Sequence, residues 1–209
     1  MLERPVRKRK TRNPCPTCAM HLSRCICAHI PRLDLRTRVS LLIHAKELKR
    51  TTNTGRLAMH ALVNSKMYVR GALAGPPDLS GLLSEQYENV ILFPSDDAFE
   101  LENLKVSKPI HLIVSDGNWR QASKINTRYP ELKNLRRVKI SHPNLAQIHL
   151  RKEHFCEGLS TLEAIAWALS AVEGRLAAEA LMNLYQAKLR RTLEGRPPGR
   201  PGRLSTVSF

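Results

Sequence analysis

A carboxylate and an indole that could take part in chemistry lie three residues apart in the string DGNW at 116–119. Residues 110–114 before it are mostly apolar and rich in β-branched side chains, which predicts a short strand buried on both faces. Asn118 can cap the helix that follows the turn. The pattern therefore places Asp116 and Trp119 at the carboxyl end of a buried strand, where α/β folds bind their ligands. A turn-stabilising Asp116 and an inaccessible core Trp119 are the alternatives.

Four cysteines form a second group with chemical potential near the N-terminus: Cys15, Cys18, Cys25 and Cys27. Two close pairs of this kind can bring four thiolates around one tetrahedral zinc ion. Disulfide bonds are the alternative, but a bond between the last two cysteines would close a strained, very small ring, and a reducing compartment opposes disulfides. The spacing therefore favours a structural zinc site.

The charge of the chain indicates the kind of partner it binds. Lys and Arg number 34 against 18 Asp and Glu, which gives a formal net charge of +16 and a sequence pI of about 10.2. Such a balance favours a polyanion, with nucleic acid as the first choice and an anionic membrane surface as the second. No apolar run approaches the ~20 residues that a membrane-spanning helix needs. We therefore expect a cytoplasmic protein with no membrane contact.

The elements that must position these residues follow from hydrophobic patterning. Alternation of strands and helices predicts an α/β fold with a largely parallel sheet and helices on both faces. Ser160 and Glu163 form a capping-box pattern at a helix start, and the long loop at 141–158 has the length of a functional loop. The predicted strands are 39–43, 67–73, 90–93, 110–114 and 137–140, and helices begin near 53–56, 118, 160 and 175.

Two strings resemble the DTW-domain family, whose signature is Asp-x-Thr-Trp. These strings are DGNW at 116–119 and LSTLEA at 159–164, and the cysteine cluster and the string NTGR at 53–56 support the resemblance, which covers about residues 15–175. Asn118 departs from the family's threonine, although both residue types cap helices. The family comprises tRNA-uridine aminocarboxypropyltransferases with a SPOUT-like α/β fold. The resemblance therefore implies a trefoil-knotted sheet for this chain.

The same resemblance implies a reaction. The chain would transfer the 3-amino-3-carboxypropyl group of S-adenosylmethionine to N3 of a uridine in tRNA and release methylthioadenosine. Asp116 would act as the general base for the uridine imide, and Trp119 would stack on adenine or on the uracil. Zinc would be structural, and no protein partner is inferred.

The resemblance also assigns the remaining site residues to the cosubstrate or to the tRNA. The cosubstrate would lie among loops at the carboxyl ends of the strands, formed by Phe93, Pro94, Ser95, Gly117, Asn118, Arg151, Leu159, Ser160 and Thr161. The tRNA substrate would contact Asn53, Thr54, Gly55 and Arg56. These expectations divide the chain into a basic disordered arm at 1–13, a zinc-binding segment at 14–31, a catalytic domain at 32–194 and a disordered basic tail at 195–209.

Two other functions fit part of the pattern. A SPOUT-type RNA methyltransferase would use the same cosubstrate but turn its methyl group toward the nucleophile. A non-catalytic, zinc-containing RNA-binding protein would need only the charge and the cysteines. The by-product separates the three functions, because they yield methylthioadenosine, S-adenosylhomocysteine and no product respectively.

Overall fold

Strands of the central sheet all run in the same direction in the computed structural model, which describes residues 13–48, 50–72, 75–116, 128–141 and 159–195. The strand order is β2-β1-β5-β3-β6-β4, and each pairing is parallel. The predicted α/β class with a parallel sheet is thus confirmed, and the carboxyl ends of the strands meet at one edge. The strands are β1 (Arg38–His44), β2 (Ser65–Arg70), β3 (Glu88–Leu92), β4 (Phe99–Glu100), β5 (Ile110–Asp116) and β6 (Arg136–Lys139).

Helices cover one face of this sheet. Buried Leu162, Ile165 and Leu169 recur at helical spacing, and they pack with Val39 and Leu41 of β1 in the larger of two hydrophobic clusters. The helices in the described part of the chain are α1 (Ala45–Leu48), α2 (Gly55–Ala61), α3 (Thr161–Glu173) and α4 (Arg175–Glu194). None of them has the length and apolar composition that crossing a membrane requires.

The second face carries a smaller cluster, in which Leu42, Ile91 and Ile113 pack against Leu82 and Leu132. None of α1 to α4 lies on this cluster, but Arg128 is helical and precedes Tyr129, which packs against it. The helix predicted to begin at residue 118 falls on residues 117–127, which are outside the described part of the chain. That helix and the trefoil knot remain predictions.

Several boundaries differ from the sequence-based prediction. The strand predicted at 67–73 is β2, which ends at Arg70 because Gly71 turns the chain with a φ of +67°. Two short elements, α1 and β4, were not predicted, because four and two residues are too few to show a period. The predicted basic arm and tail lie outside the described residues except for Asn13 and Gly195, as does most of the loop at 141–158.

The cysteine segment packs against the larger cluster and the last helix. It contains two 3₁₀ turns, Leu22–Arg24 and Cys27–His29, and no α-helix or strand between residues 13 and 31. Cys15, Cys18 and Ile26 are buried in the larger cluster, which also contains Leu184 and Leu189 of α4. The segment therefore shares its hydrophobic core with the sheet domain.

Candidate active site and metal centre

Asp116 ends β5, and its carboxylate lies between the starts of two helices. The residue pairs in register with Ile43 of β1, so its side chain points to the helix-covered face. Its Oδ2 accepts a hydrogen bond from Nδ2 of Asn53 at 2.5 Å, and its Oδ1 accepts one from Oγ1 of Thr161 at 2.8 Å. The residue is only 5% exposed. Donors from both helix starts therefore fix this carboxylate in one orientation.

The start of α2 contributes more than the bond to Asp116. Asn53, which precedes the N-cap residue Thr54, accepts a bond on its Oδ1 from the backbone N–H of Arg56 at 3.0 Å, so one side chain binds both the first turn of α2 and the carboxylate. Thr54 uses its hydroxyl differently, because its Oγ1 accepts a bond from the backbone N–H of Leu162 in α3 at 3.3 Å. The two helix starts are thus bonded to each other as well as to Asp116.

The predicted capping box at the start of α3 is confirmed. Ser160 Oγ accepts a bond from the N–H of Glu163 at 3.3 Å, and Glu163 Oε2 accepts one from the N–H of Ser160 at 2.9 Å. With Leu162 donating to Thr54, three amides at this helix start have partners within the protein. This start is therefore a poor place to bind the carboxylate of a ligand.

Gly55 allows the close approach of these groups. A Cβ at this position would lie 3.0 Å from Oδ2 of Asp116, 3.0 Å from a methyl carbon of Leu41 and 3.1 Å from the methyl carbon of Thr161. Those distances are shorter than ordinary van der Waals contact. A glycine at the first position of α2 therefore lets the helix reach the carboxylate.

The other predicted site residues do not all lie beside Asp116. Arg56 points away from Asp116, and its Nη2 donates to the backbone carbonyl of Pro16 in the cysteine segment. Residues 93–95 follow β3 at the same sheet edge, with Phe93 half-buried against the smaller cluster. Leu159 is half-buried beside α3. Gly117, Asn118, Trp119 and Arg151 lie outside the described residues.

Two buried charged residues lie at this sheet edge, and neither belongs to the site predicted from the sequence. Arg70 ends β2 in register with His44 and is 4% exposed, while Glu47 in α1 is 5% exposed and pairs with Arg50 at 3.2 Å. Burial is the main effect that lowers the pKa of Arg70, and the charges of Tyr129, Asp116 and Glu47 oppose that lowering. The sequence does contain one indication of a functional arginine, because Arg70 is a charged residue within a run that is otherwise typical of a buried strand.

The four cysteine sulfurs converge on a common point. The Sγ atoms of Cys15 and Cys27 are 3.5 Å apart, those of Cys18 and Cys25 are 3.8 Å apart, and those of Cys15 and Cys25 are 3.7 Å apart. All four lie within 4.8 Å of one another. Zn–S bonds of ~2.3 Å in a tetrahedron place the sulfurs ~3.8 Å apart, whereas a disulfide needs ~2.05 Å. The cluster has the donor set and spacing of a structural metal site, and its cysteines are unpaired.

The surroundings of the sulfurs shift the pKa values of two of the thiols in opposite directions. The backbone N–H of Cys18 is the main cause that lowers the pKa of the Cys15 thiol to about 6, whereas burial raises the pKa of Cys27 to about 12. Lys188 of α4 is fully buried beside the cluster, and its Nζ donates to the carbonyl of Cys18 at 3.4 Å. A zinc ion with four thiolates carries net negative charge, which this ammonium group complements.

Comparison with known proteins identifies related sequences. The model of the DTW domain matches residues 12–193. Three similar proteins are named tRNA-uridine aminocarboxypropyltransferase 2. The relative from Drosophila melanogaster is 30% identical over 172 residues, which are 78% of this chain and 68% of the relative. The Macaca fascicularis protein is 28% identical over 180 residues, which are 82% of this chain and 60% of the relative. The Mus musculus protein is 26% identical over 177 residues, which are 81% of this chain and 59% of the relative. The chain thus spans less than two thirds of the two mammalian relatives, and no solved structure matches it.

Proposed function

Because the chain belongs to the DTW-domain family, we propose that it transfers the 3-amino-3-carboxypropyl group of S-adenosylmethionine to N3 of a uridine in tRNA. The observation that carries this proposal is the buried carboxylate of Asp116, held by two side-chain donors at the carboxyl edge of a parallel sheet. The names of the relatives supply the reaction class. The net charge of +16 suits a tRNA substrate.

The proposed reaction is one displacement at carbon. A bond forms between uridine N3 and the γ-carbon of the methionine chain, the bond from that carbon to sulfur breaks, and its electron pair stays on sulfur in neutral methylthioadenosine. The imide proton passes to the carboxylate of Asp116, which Asn53 and Thr161 hold in one orientation. Alignment of the nucleophile with this carbon, and not with the methyl carbon, sets the product.

Other residues have supporting roles in this proposal. Asn53, Thr161 and Gly55 hold the carboxylate in place, and Trp119 stacks on adenine or on the extruded uracil. Residues 93–95 and the segment at 159–161 border the cosubstrate. The cysteine cluster holds zinc, which links the N-terminal segment to the sheet domain and is assigned no chemical step.

The test follows the transferred atoms. Purified protein is incubated with unmodified tRNA and S-adenosylmethionine that carries an isotope either in the methionine chain or in the methyl group, and digested nucleosides are read by mass spectrometry. We expect the chain isotope in uridine and methylthioadenosine as by-product. Methyl isotope in the RNA with S-adenosylhomocysteine as by-product would replace the proposal with methyl transfer. Absence of both would indicate a non-catalytic RNA-binding protein.

A further inference from the structure

Arg70 is one of the most buried charged residues in the described part of the chain. Its Nε and Nη2 are buried and have no hydrogen-bond partner among the described residues. Removing a guanidinium from water is strongly unfavourable unless its donors are satisfied. Buried polar groups without partners in a native fold are uncommon, and a missing ligand is one cause. The position therefore has the properties of an anion site.

The charges near Arg70 in the described ranges are mixed. The carboxylates of Asp116 and Glu47 raise the pKa of Arg70, and the positive charge of Arg128 lowers it. Neither carboxylate accepts a hydrogen bond from the two buried nitrogens, which have no partner in the described part of the chain. Residues 117–127, which follow Asp116 in the sequence, contain no Asp or Glu. An anion from outside the chain would satisfy the two nitrogens.

Two hydroxyl groups extend the site on the same sheet face. Tyr68 precedes Arg70 by two residues in β2, so both side chains point to the same face. Leu42 of β1 is in register with Tyr68 on one side and with Ser115 on the other. The hydroxyls of Tyr68 and Ser115 are buried and, like the arginine nitrogens, have no partner in the described part of the chain. One cation and two hydroxyls without partners in the described residues thus lie at the carboxyl edge, on the sheet face opposite the one that the Asp116 side chain faces.

We propose that Arg70, Tyr68 and Ser115 bind the amino-acid end of S-adenosylmethionine, with the guanidinium of Arg70 on its carboxylate. This inference rests on the proposed function. Val69 lies level with Ile43 and Asp116 across the sheet, so Arg70 is one residue beyond the level of the proposed base at the same edge. The two hydroxyls can accept bonds from the ammonium group of the methionine chain or donate to its carboxylate.

The geometry favours a carboxylate over a phosphate of the RNA backbone. A guanidinium presents parallel N–H groups that match a planar carboxylate. At 4% exposure, Arg70 leaves little room for a backbone phosphate, which carries a ribose on each side. The amides at the start of α3, the other obvious place for a carboxylate, already have partners. Arg70 is thus a specificity-determining residue for the group that is transferred.

Calorimetry with three ligands tests the assignment. The ligands are S-adenosylmethionine, decarboxylated S-adenosylmethionine and methylthioadenosine, and the proteins are the full chain, Arg70→Gln and the exposed control Arg32→Gln. We expect Arg70→Gln to weaken S-adenosylmethionine roughly 10- to 100-fold, as for a lost charge-assisted bond. Its affinities for the other two ligands should stay within a few-fold of the unsubstituted protein. Arg32→Gln should match the unsubstituted protein throughout.

A second measurement separates binding from folding. Because Arg70→Gln removes a buried charge without a partner, its Tm without ligand should be unchanged or higher. Arg70→Lys keeps the positive charge but loses the pair of parallel guanidinium N–H groups, so it replaces the Gln variant if that variant does not fold. It should also lose affinity for S-adenosylmethionine selectively. Equal losses for all three ligands in both variants would make Arg70 a structural residue and overturn the proposal.

Two further outcomes identify other failures. Weaker tRNA binding with a smaller salt dependence and unchanged S-adenosylmethionine affinity would assign Arg70 to a phosphate, against our proposal. An unsubstituted protein that does not bind S-adenosylmethionine would overturn this inference and the proposed function together. By contrast, S-adenosylmethionine binding that needs Arg70, combined with a methylated product, would support this inference and overturn only the proposed function.

Discussion

The amide nitrogen of Asn53 lies 2.5 Å from Oδ2 of Asp116, although 63 positions separate the two residues in the chain. The same carboxylate binds the hydroxyl of Thr161, which is a further 45 positions along. One carboxylate therefore joins the end of β5 to the starts of α2 and α3. Substitutions at Asp116 have to be judged for this joining role as well as for chemistry.

Asp116→Asn separates these two roles. The Asn side chain keeps the shape of Asp, its oxygen can accept from Asn53, and its amide can donate to Thr161, so the fold should persist. Turnover should fall by roughly 10²- to 10⁴-fold, the range for loss of a general base, while S-adenosylmethionine affinity stays within a few-fold. Single-turnover rates across pH and calorimetry provide the two measurements.

The exposed residue Asp34 provides the matched control, since Asp34→Asn makes the same chemical change away from the sheet edge. Near-normal turnover of Asp116→Asn would rule out the general-base role and leave only the joining role. A collapse of S-adenosylmethionine binding would instead make Asp116 an electrostatic partner of the sulfonium or ammonium group.

Gly55→Ala should disturb the same carboxylate from the side of α2. Alanine in an open helix normally gains ~1 kcal/mol over glycine. Here its Cβ would lie 3.0 Å from Oδ2 of Asp116 and 3.1 Å from the methyl carbon of Thr161, so we expect a net loss of ~1–2 kcal/mol in the free energy of unfolding. Turnover should fall because the carboxylate moves. Urea unfolding and single-turnover rates measure the two effects.

Gly81→Ala is the control for this substitution. A Cβ there would meet only the Nζ of Lys66, at 3.5 Å, which is ordinary van der Waals contact at the end of a flexible side chain. Equal stability and equal turnover of the two alanine variants would show that the contacts around Gly55 do not constrain Asp116.

Local patterns in the sequence predicted much of this architecture. Short apolar runs predicted the central strands, since a strand covered on both faces needs no polar alternation. The capping box at Ser160 could be predicted because both of its partners lie within one turn of helix. The clustered cysteines could be predicted because short spacing by itself brings their sulfurs together.

Long-range partnerships could not be predicted in the same way. The contacts of Asp116 with Asn53 and Thr161 depend on the strand order that places β5 beside β1, which local patterns do not define. Arg70 falls in a run that was predicted as a strand, and its burial follows from the elements packed around it. The two residues of β4 are too few to show alternation.

Acid should destabilise the fold through His111. This side chain is fully buried in β5, with Nε2 2.7 Å from Oγ of Ser40 and Nδ1 2.8 Å from Oδ1 of Asn89. Burial first, and then the charge of Arg38, lower the pKa of His111 to about 4, against ~6.5 in the unfolded chain. The unfolded state therefore binds more protons between these values, and stability falls by ~3 kcal/mol as pH is lowered through this window.

Denaturant unfolding of the full chain and of His111→Gln between pH 7 and pH 4 tests whether His111 causes the loss of stability in acid. The variant should show a smaller fall in the free energy of unfolding over that range, because it lacks the group that takes up the proton. Other groups titrate equally in both proteins, so the difference between the two curves reports His111. Parallel curves would contradict the prediction.

Deleting residues 1–12 should weaken tRNA binding without changing which uridine is modified. This segment carries six basic side chains. Each phosphate contact that is lost should reduce the slope of log K against log salt concentration by ~0.7–0.9, because fewer counterions are released. Filter binding from low to moderate salt gives the slope. An unchanged slope would show that the arm makes no phosphate contacts.

The cysteine cluster should hold about one zinc ion per chain, and that ion should stabilise the fold. Elemental analysis of protein purified without chelator should find the metal in the unsubstituted chain and in Cys156→Ser, which changes the cysteine outside the cluster. The Cys15→Ser, Cys18→Ser double variant should lack it. Because Cys18 and Ile26 pack in the same core as α4, metal loss should also lower the free energy of unfolding.

A chelator gives the second measurement of this prediction. The unsubstituted chain should lose stability to urea when the metal is removed, while the double variant should show no further loss, since it has no metal to release. Far-UV circular dichroism should show the sheet domain retained in both. Metal content unchanged by the double substitution would contradict the assignment of these four cysteines as ligands.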